Sequence, residues 1–514
     1  MRRAHTVAVV REAEQSLMAK VPDGALMQRA AAGLAATCAR LLDGVYGARV
    51  VVLAGSGDNG GDALYGGARL AARGAAVIAV AAGSRLHQAA AADLVARGGR
   101  IVDAAGPSSS AASGGAAAAT EISPAAIAAI AAADLIIDGL TGIGGHGGLR
   151  EPAASLAQLT EQARRDGALV IAVDLPSGID ADSGEVHGAA IRSDVTVTFG
   201  TIKPGLLVDP GATFAGPAEL IDIGLGPYLP EPAVTSLQAA DVAAMLPQPS
   251  AESDKYRRGV LGLVAGSEQY TGAAVLSTGG AIKGGAGMVR LISAAPAIAV
   301  VRQHWPEAVL TTYDPGHPER AIEGAGRVQA WAAGPGIGTG PEACDLLSAV
   351  LASDLPVLVD ADGITVLAAY RDLLQRDGPT LITPHAGELA RLVGADRADI
   401  EARRLYYARA AAAELGITVL LKGSTTVIAE PDRARPVRVN STGSSWLATA
   451  GSGDVLSGLT GALLAQGLPP ADAAAVAAYL HGMAGRLAAR DAPIGASDLI
   501  GGIPEAIRAV KTEN

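Results

Sequence analysis

Two consecutive α/β domains, each built on a parallel sheet with helices on both faces, are what the sequence predicts. Three observations lead there. Short runs of Val, Ile, Leu and Ala alternate with Ala-rich helical stretches. Several of those runs end in glycine-rich loops. Mean hydropathy is +0.30, yet no stretch reaches the ~18 apolar residues of a membrane span. Strands covered on both faces read as unbroken apolar runs, which accounts for the hydropathy without a membrane.

In the first domain, taken as 1–228, the strand-like runs are 49–54 (RVVVLA), 76–82, 135–138 and 169–174. Helical stretches between them imply right-handed βαβ units. The Ser-, Gly- and Ala-rich segment 104–123 reads as a surface loop. The pattern pauses at 224–249, where Pro227, Pro230, Pro232, Pro247 and Pro249 interrupt helices and central strands. The second domain, 229–514, resumes the alternation with runs at 260–265, 289–293, 328–333, 356–360, 380–383, 418–422 and 426–429, and a helix over 401–415.

Composition excludes several functions. The 514 residues carry 49% hydrophobic and only 18% charged side chains, the reverse of a disordered chain. The 66 glycines follow no strict period, which excludes collagen. A net charge of −11 and 3% aromatic residues, with no long basic run, argue against a nucleic-acid binder. A small anionic ligand stays open, because backbone N–H groups hold phosphate without net positive charge. Cys38 and Cys344 form no CxxC pair, so neither a disulfide nor zinc is expected and a reducing, cytoplasmic compartment fits. Arg2-Arg3 is followed by Arg11, Glu12 and Glu14 rather than by the apolar core of a signal peptide.

In the first domain, RVVVLA runs into Gly55-Ser-Gly57-Asp58-Asn59-Gly60-Gly61-Asp62, with a helix expected from about Ala63. GxGxxG lets backbone approach a phosphate at a helix N-terminus, and by itself it also describes a tight strand–helix turn. Asp58, Asn59 and Asp62 add oxygens that a plain pyrophosphate cradle does not need. The next run ends in Gly83-Ser84, where a dinucleotide fold would place a ribose-binding acid, so an ordinary dehydrogenase fits poorly. Asp138 and Asp174 each end a run, the first leading into a glycine-rich loop over 139–148 and the second into LPSGID. Either aspartate alone could cap a loop. Together at the carboxyl ends of strands they suit a group I or II cation.

The second domain carries AGSGD at 450–454, opening an apolar helix. Its N–H groups form an anion site, and Asp454 beside them can take a proton from an attacking hydroxyl. KGSTT at 422–426, GPGIG at 334–338 and TPHAGE at 383–388 bring a lysine, exposed backbone and His385 to other loops.

GSGDNGGD, DGLTGIG, VDLPSGIDADSG and TFGTIKPGLL, with LMQRAA at 26–31, resemble the NAD(P)H-hydrate epimerase domain over nearly all of 1–225. The resemblance implies a Rossmann-like fold that interconverts the R and S hydrates of NADH and NADPH. It implies K+ on Asn59, Asp138 and Ser177. The hydrate would contact Asp58, Asn59, Gly60, Gly61 and Asp62, then Gly142, Ile143, Gly144, Gly145, His146, Gly147 and Gly148, and Asp174. Asp174 would be the acid/base residue, with Lys203 a second candidate. Asp58 stands where the family usually has Asn, and GIGGHGGLR replaces its common GTG plus Arg segment.

Residues 235–514 resemble the ribokinase-like superfamily, and within it the NAD(P)H-hydrate dehydratases. The residues that carry this are 255–264, Gly266-Ser267, Tyr270-Thr-Gly-Ala273 and the four motifs above. The resemblance implies Mg2+ and phosphorylation of the C6 hydroxyl by ADP (or ATP), after which phosphate leaves. Ala273, Gly336, His385 and Asp454 would contact the hydrate, with Asp454 as base. Lys422, Gly423, Ser424, Thr425, Thr426 and Gly453 would hold the nucleotide. The family often has Asn-Pro-Gly-Met where this chain has Ser444-Ser-Trp446-Leu. Small molecules would be the only partners, and the resemblance implies a homo-oligomer such as a tetramer. Two other readings use the same residues: a vitamin-precursor kinase with an N-terminal regulatory domain, and a nonenzymatic nucleotide sensor.

Overall fold

A computed structural model of the chain describes residues 1–83, 85–106, 121–145 and 147–512. It divides into two units, Arg3–Ala233 and Val234–Asn514 with Met1–Arg2. The division lies inside the proline-rich stretch.

In the first unit, the described strands form a seven-stranded parallel sheet. Its order is Arg100–Asp103, Ala76–Ala81, Arg49–Ala54, Leu135–Gly139, Leu169–Val173, Val195–Phe199, Ala218–Ile221. Side chains alternate across it. Val50, Val52 and Ala54 face one core, under helices Ala25–Leu41 and Asp58–Ala71. Val51 and Leu53 face the other, under Pro124–Ala131 and Ala153–Arg165. Both faces are therefore filled, as the apolar runs require. The order reverses between Arg49–Ala54 and Leu135–Gly139. Loops after those two strands diverge to opposite faces and open a crevice.

The second unit has a longer sheet, in the order Val234–Ser236, Val437–Asn440, Thr426–Ala429, Thr418–Leu421, Thr380–Ile382, Val357–Val359, Ala330–Ala333, Val260–Val264, Met288–Ser293, Val309–Thr312. It is mixed rather than purely parallel. Thr426–Ala429 runs antiparallel to both neighbours, because a short hairpin joins it to Thr418–Leu421. One large core packs helices Thr271–Lys283, Ser452–Ala465, Pro470–Ala489 and Ala496–Thr512 with this sheet.

Some elements differ from expectation. The helix expected from Ala63 begins at Asp58, so Asp58 to Asp62 lie in its first turns. Arg100–Asp103, Val195–Phe199, Ala218–Ile221, Val309–Thr312 and Val437–Asn440 are strands that the apolar runs did not reveal. Three of them, Arg100–Asp103, Ala218–Ile221 and Val309–Thr312, are edge strands with partly exposed side chains. Of the loop expected at 104–123, residues 107–120 lie outside the described residues. No helix among the described residues is long and apolar enough to cross a membrane.

The helix that opens with GSGD lies against Thr271–Lys283 at backbone distance. A Cβ on Gly458 would come within 1.9 Å of the Ser277 carbonyl oxygen. Gly458→Ala must force these helices apart, at about 2 kcal/mol. Thermal unfolding followed by circular dichroism is expected to show a Tm lower by roughly 4–8 °C.

Candidate active sites

A cavity of about 830 Å³ opens in the first unit at the crevice where strand order reverses. Asp58, Asn59, Asp62, Gly142, Ile143, Gly144, Gly145 and Asp174 line it. Gly60, Gly61, Gly147 and Gly148 do not. Gly60 and Gly61 are buried in the helix, where a Cβ on Gly60 would lie 2.3 Å from the Gly55 carbonyl oxygen. Gly148 packs on the backbone of His187. His146 and Ser84 lie outside the described residues.

Asp174 sits just beyond its strand in the left-handed region, φ +64°, which Asp tolerates better than most side chains. Its Oδ1 accepts hydrogen bonds from the Phe199 N–H at 3.0 Å and the Thr198 hydroxyl at 3.1 Å. It also pairs with the Lys203 ammonium. Lys203, only 1% exposed, donates further to Thr198 Oγ1 and the Phe199 carbonyl, both at 3.1 Å. The two acid/base candidates of the sequence are thus one ion pair at the cavity wall.

Other charged groups at the cavity were not singled out from sequence. Arg11 and Glu14 project from helix Val7–Met18. Burial raises the Glu14 pKa, and the negative charge of Asp174 adds to the rise. Asp62 is held well above the usual carboxylate range by burial, then by Asp174, Asp58 and Glu14. Its Oδ1 is buried with no hydrogen-bond partner, as is Asn59 Nδ2. Burial and like charge of this kind favour the neutral form of a carboxyl group.

Asp138 lies below, fully buried. Ser177 donates to it twice, from its N–H at 2.8 Å and its hydroxyl at 2.6 Å. Ser177 Oγ also accepts from the Thr141 N–H at 2.9 Å. The adjacent Gly142 packs on Asn59, where a Cβ would sit 3.0 Å from Oδ1. Asn59, Asp138 and Ser177 therefore surround one short loop. Burial pushes the Asp138 pKa up to about 6, against the Ser177 hydrogen bonds. Among the described residues no ammonium or guanidinium pairs with Asp138. A buried carboxylate beside amide and hydroxyl oxygens offers the kind of donors that hard cations take.

In the second unit, Asp454 stands in the first turn of Ser452–Ala465, after Gly451 in the left-handed region (φ +87°). Burial pushes its pKa up to about 7, and Asp360 adds to the rise while Lys422 opposes it. Lys422 follows strand Thr418–Leu421 and donates from Nζ to Asp360 Oδ1 at 2.7 Å. Burial disfavours its ammonium, but Asp360 and Glu388 outweigh this and raise its pKa. A Cβ on Gly453 would lie 3.4 Å from Lys422 Nζ.

His385 caps helix Ala386–Val393, its Nδ1 accepting from the Gly387 and Glu388 N–H groups at 3.0 and 3.2 Å. Its neighbour Pro384 accepts from the Lys422 N–H at 2.8 Å. Gly336 packs on Ala273, whose Cβ would be 2.7 Å from an added Cβ. In the KGSTT loop, Gly423 and Ser424 are exposed, Thr425 is buried and Thr426 begins the returning strand. The buried guanidinium of Arg404 supports this loop, donating to the Lys422 carbonyl at 2.6 Å. Arg404 and Asp360 were missed from sequence. Asp360 follows a buried strand, the same signal that marked Asp138 and Asp174. Arg404 offered no motif. Among the described residues, no group of three or more His, Cys, Asp and Glu is arranged to hold a metal.

Comparison with known proteins matches both halves. The family model described as NAD(P)H-hydrate dehydratase matches residues 261–504, and that described as YjeF-related protein N-terminus matches 23–205. The bifunctional NAD(P)H-hydrate repair enzyme Nnr of Mycobacterium leprae is 46% identical, over 99% of this chain and 100% of its own. That of Moorella thermoacetica is 35% identical, over 96% of this chain and 94% of its own. Among solved structures, the ADP/ATP-dependent NAD(P)H-hydrate dehydratase from Bacillus subtilis, co-crystallised with ATP/Mg2+, is 30% identical with a TM-score of 0.49. It covers 54% of this chain and 99% of its own.

The Asp174–Lys203 pair yields a stability test. Lys203→Met leaves a largely buried carboxylate uncompensated, which costs roughly 3–5 kcal/mol. The double variant Lys203→Met/Asp174→Leu should recover much of that loss. Urea denaturation of the three proteins checks both outcomes.

Proposed function

The chain belongs to the bifunctional NAD(P)H-hydrate repair enzymes, an epimerase joined to a dehydratase, and from that premise we propose which residues carry each reaction. The first unit takes the R and S hydrates of NADH and NADPH. The second unit takes the S hydrate and returns NAD(P)H. Epimerisation lets a stereospecific dehydratase recover both forms.

In the epimerase unit, Asp174 moves the proton, with Lys203 holding its carboxylate in place and Phe199 N–H and Thr198 fixing its orientation. Asp58, Asn59, Asp62 and the loop 142–145 line the space for the hydrate. Residues Gly60, Gly61, Gly147 and Gly148 shape the backbone around it. K+ would be held by Asn59, Asp138 and Ser177, and when bound it supplies positive charge beside the buried Asp138 carboxylate.

In the dehydratase unit, hydroxide is a poor leaving group, which explains the need for a nucleotide. Asp454 accepts the C6 hydroxyl proton as the terminal phosphoryl group of ADP is transferred to that oxygen, releasing AMP. Phosphate then departs with the C–O bonding electrons, C5 gives up a proton, and the C5–C6 double bond of the reduced nicotinamide is restored. With ATP the other product is ADP. Lys422 neutralises phosphate charge, and the N–H groups at Gly453 point at the transferring group. Gly423, Ser424, Thr425 and Thr426 bind the nucleotide. Ala273, Gly336 and His385 position the hydrate. Mg2+ would travel with the nucleotide phosphates, since Mg2+ seldom needs an all-protein cage. The same resemblance implies a homo-oligomer acting on small molecules, and the two unpaired cysteines suit a cytoplasmic compartment.

The observation that carries this reading is the meeting of Lys422, Gly453 and Asp454 at one helix start. Its test is incubation with mixed hydrates and ADP or ATP, followed by the absorbance of reduced nicotinamide. The wild type should recover all of the hydrate, Asp454→Asn none, and Asp174→Asn only the S fraction. A stable phosphorylated alcohol made from a vitamin precursor, without hydrate recovery, would point to a kinase. Binding without turnover would point to a sensor.

Asp454 must be ionised to accept a proton. With its pKa near 7, kcat/KM for dehydration is expected to fall below that pH, approaching tenfold per pH unit. A pH–rate profile on the S hydrate measures this limb.

A further inference from the structure

Asp360 follows strand Val357–Val359 and is 1% exposed. Both of its carboxylate oxygens are engaged. Oδ1 accepts from Lys422 Nζ at 2.7 Å, and Oδ2 from the Ser457 hydroxyl at 2.5 Å. Lys422 belongs to a loop two strands away in the sheet. Ser457 lies on the helix that carries Asp454, one turn further along, and its hydroxyl also reaches the Gly453 carbonyl at 3.0 Å. One buried side chain thus joins the Lys422 loop to the first turns of the Asp454 helix.

The backbone around Asp360 is held in an unusual form. Ala361 has φ +50° and ψ −120°, a conformation that L residues keep only where the surroundings over-determine it. That turn sends the next carboxylate, Asp362, to the Gly338 N–H at 2.9 Å. Gly334, φ +128°, lies so close that a Cβ would be 1.9 Å from the Asp360 carbonyl oxygen. The GPGIG loop is therefore seated on the same turn.

We propose that Asp360 is a positioning residue of the dehydratase reaction, fixing the Lys422 ammonium and the Asp454 helix turn relative to each other through its two oxygens. The proposal rests on the roles given above to Lys422 and Asp454. Asp360 is too buried, and too fully engaged, to take the substrate proton itself.

The charges around Asp454 make the role measurable. Asp360, Asp362 and Glu388 disfavour its ionisation, and Lys422 favours it. His385 lies beside Glu388. His481, from Pro470–Ala489, bonds through Nε2 to the Ser452 carbonyl at 2.9 Å, and burial pushes its pKa down to about 4, so it is neutral. Asp498, near the start of Ala496–Thr512, accepts from the Gly495 N–H. Lys283 ends helix Thr271–Lys283 with its ammonium over the Trp305 ring, 5.8 Å from the centroid. Asp360→Asn removes one negative charge and releases Lys422 from its main partner. Both changes favour the ionised form of Asp454.

The experiment compares pH profiles of dehydration by wild type, Asp360→Asn, Ser457→Ala and Asp454→Asn in the full chain, with ADP and the S hydrate. Asp360→Asn is expected to lose roughly tenfold or more in kcat/KM at its optimum. Its acid limb should move to lower pH by roughly one unit. Ser457→Ala, which cuts the helix tether but keeps every charge, should lower kcat/KM and leave the limb in place. A wild-type limb in Asp360→Asn, or an equal shift in Ser457→Ala, overturns the proposal. Should Asp360→Asn fail to fold, wild-type kcat/KM in Ser457→Ala overturns it instead. Activity in Asp454→Asn would sink the assignment of the base. Its inactivity alongside an unaltered Asp360→Asn sinks only the positioning role.

Discussion

A carboxylate at the end of a buried parallel strand cannot rely on water, so its partners must come from the segments packed around that strand end. Asp138, Asp174 and Asp360 all stand in this position. Each solves the problem differently. Asp138 takes two hydrogen bonds from Ser177, Asp174 takes an ammonium, and Asp360 takes an ammonium and a hydroxyl. Leaving such a group unpaired would cost several kcal/mol. The segments that supply the partners are therefore pinned where they are, beside Asp174 at the wall of the first cavity and beside Asp454 at its helix start.

Much of the fold was legible because both sheets are covered on both faces. Apolar runs such as 49–54 and 169–174 stand out when every side chain must be buried. Val195–Phe199 escaped notice because Thr alternates with Val along it, yet Thr196 and Thr198 are fully buried and bonded to local groups. Arg100–Asp103 and Val309–Thr312 are edge strands, partly exposed, and so lack the apolar signature. The early start of helix Asp58–Ala71 has a local cause. Asn and Gly are poor helix formers, but here the first turn is held by the packing of Gly60 on Gly55 and Gly61 beside Met27 and His87.

The residues that gather at the candidate sites were legible where they stand in a glycine-rich motif, as Asp58, Asn59 and Asp454 do. Residues delivered by a distant segment were not. Glu14 and Arg11 reach the first cavity from a helix more than forty residues upstream of the glycine loop, with no motif of their own. Arg404 supports the KGSTT loop from a helix whose sequence carries no motif that points to it. Lys203 was visible as a candidate, but its pairing with Asp174 depends on two strands lying side by side, which spacing along the chain does not reveal.

The reversal of Thr426–Ala429 has a further consequence. Because that strand runs back and Val437–Asn440 returns, the segments 422–425 and 441–451 both emerge on the rim where the parallel strands end. The turn at 430–436 emerges on the opposite rim. Length variation in that far turn leaves the segments 422–425 and 441–451 where they are. Inserting a single residue within either paired strand would slip the register and turn the buried side chains of the hairpin to the wrong face. The hairpin thus separates one stretch of chain that is free to drift in length from two that are locked together.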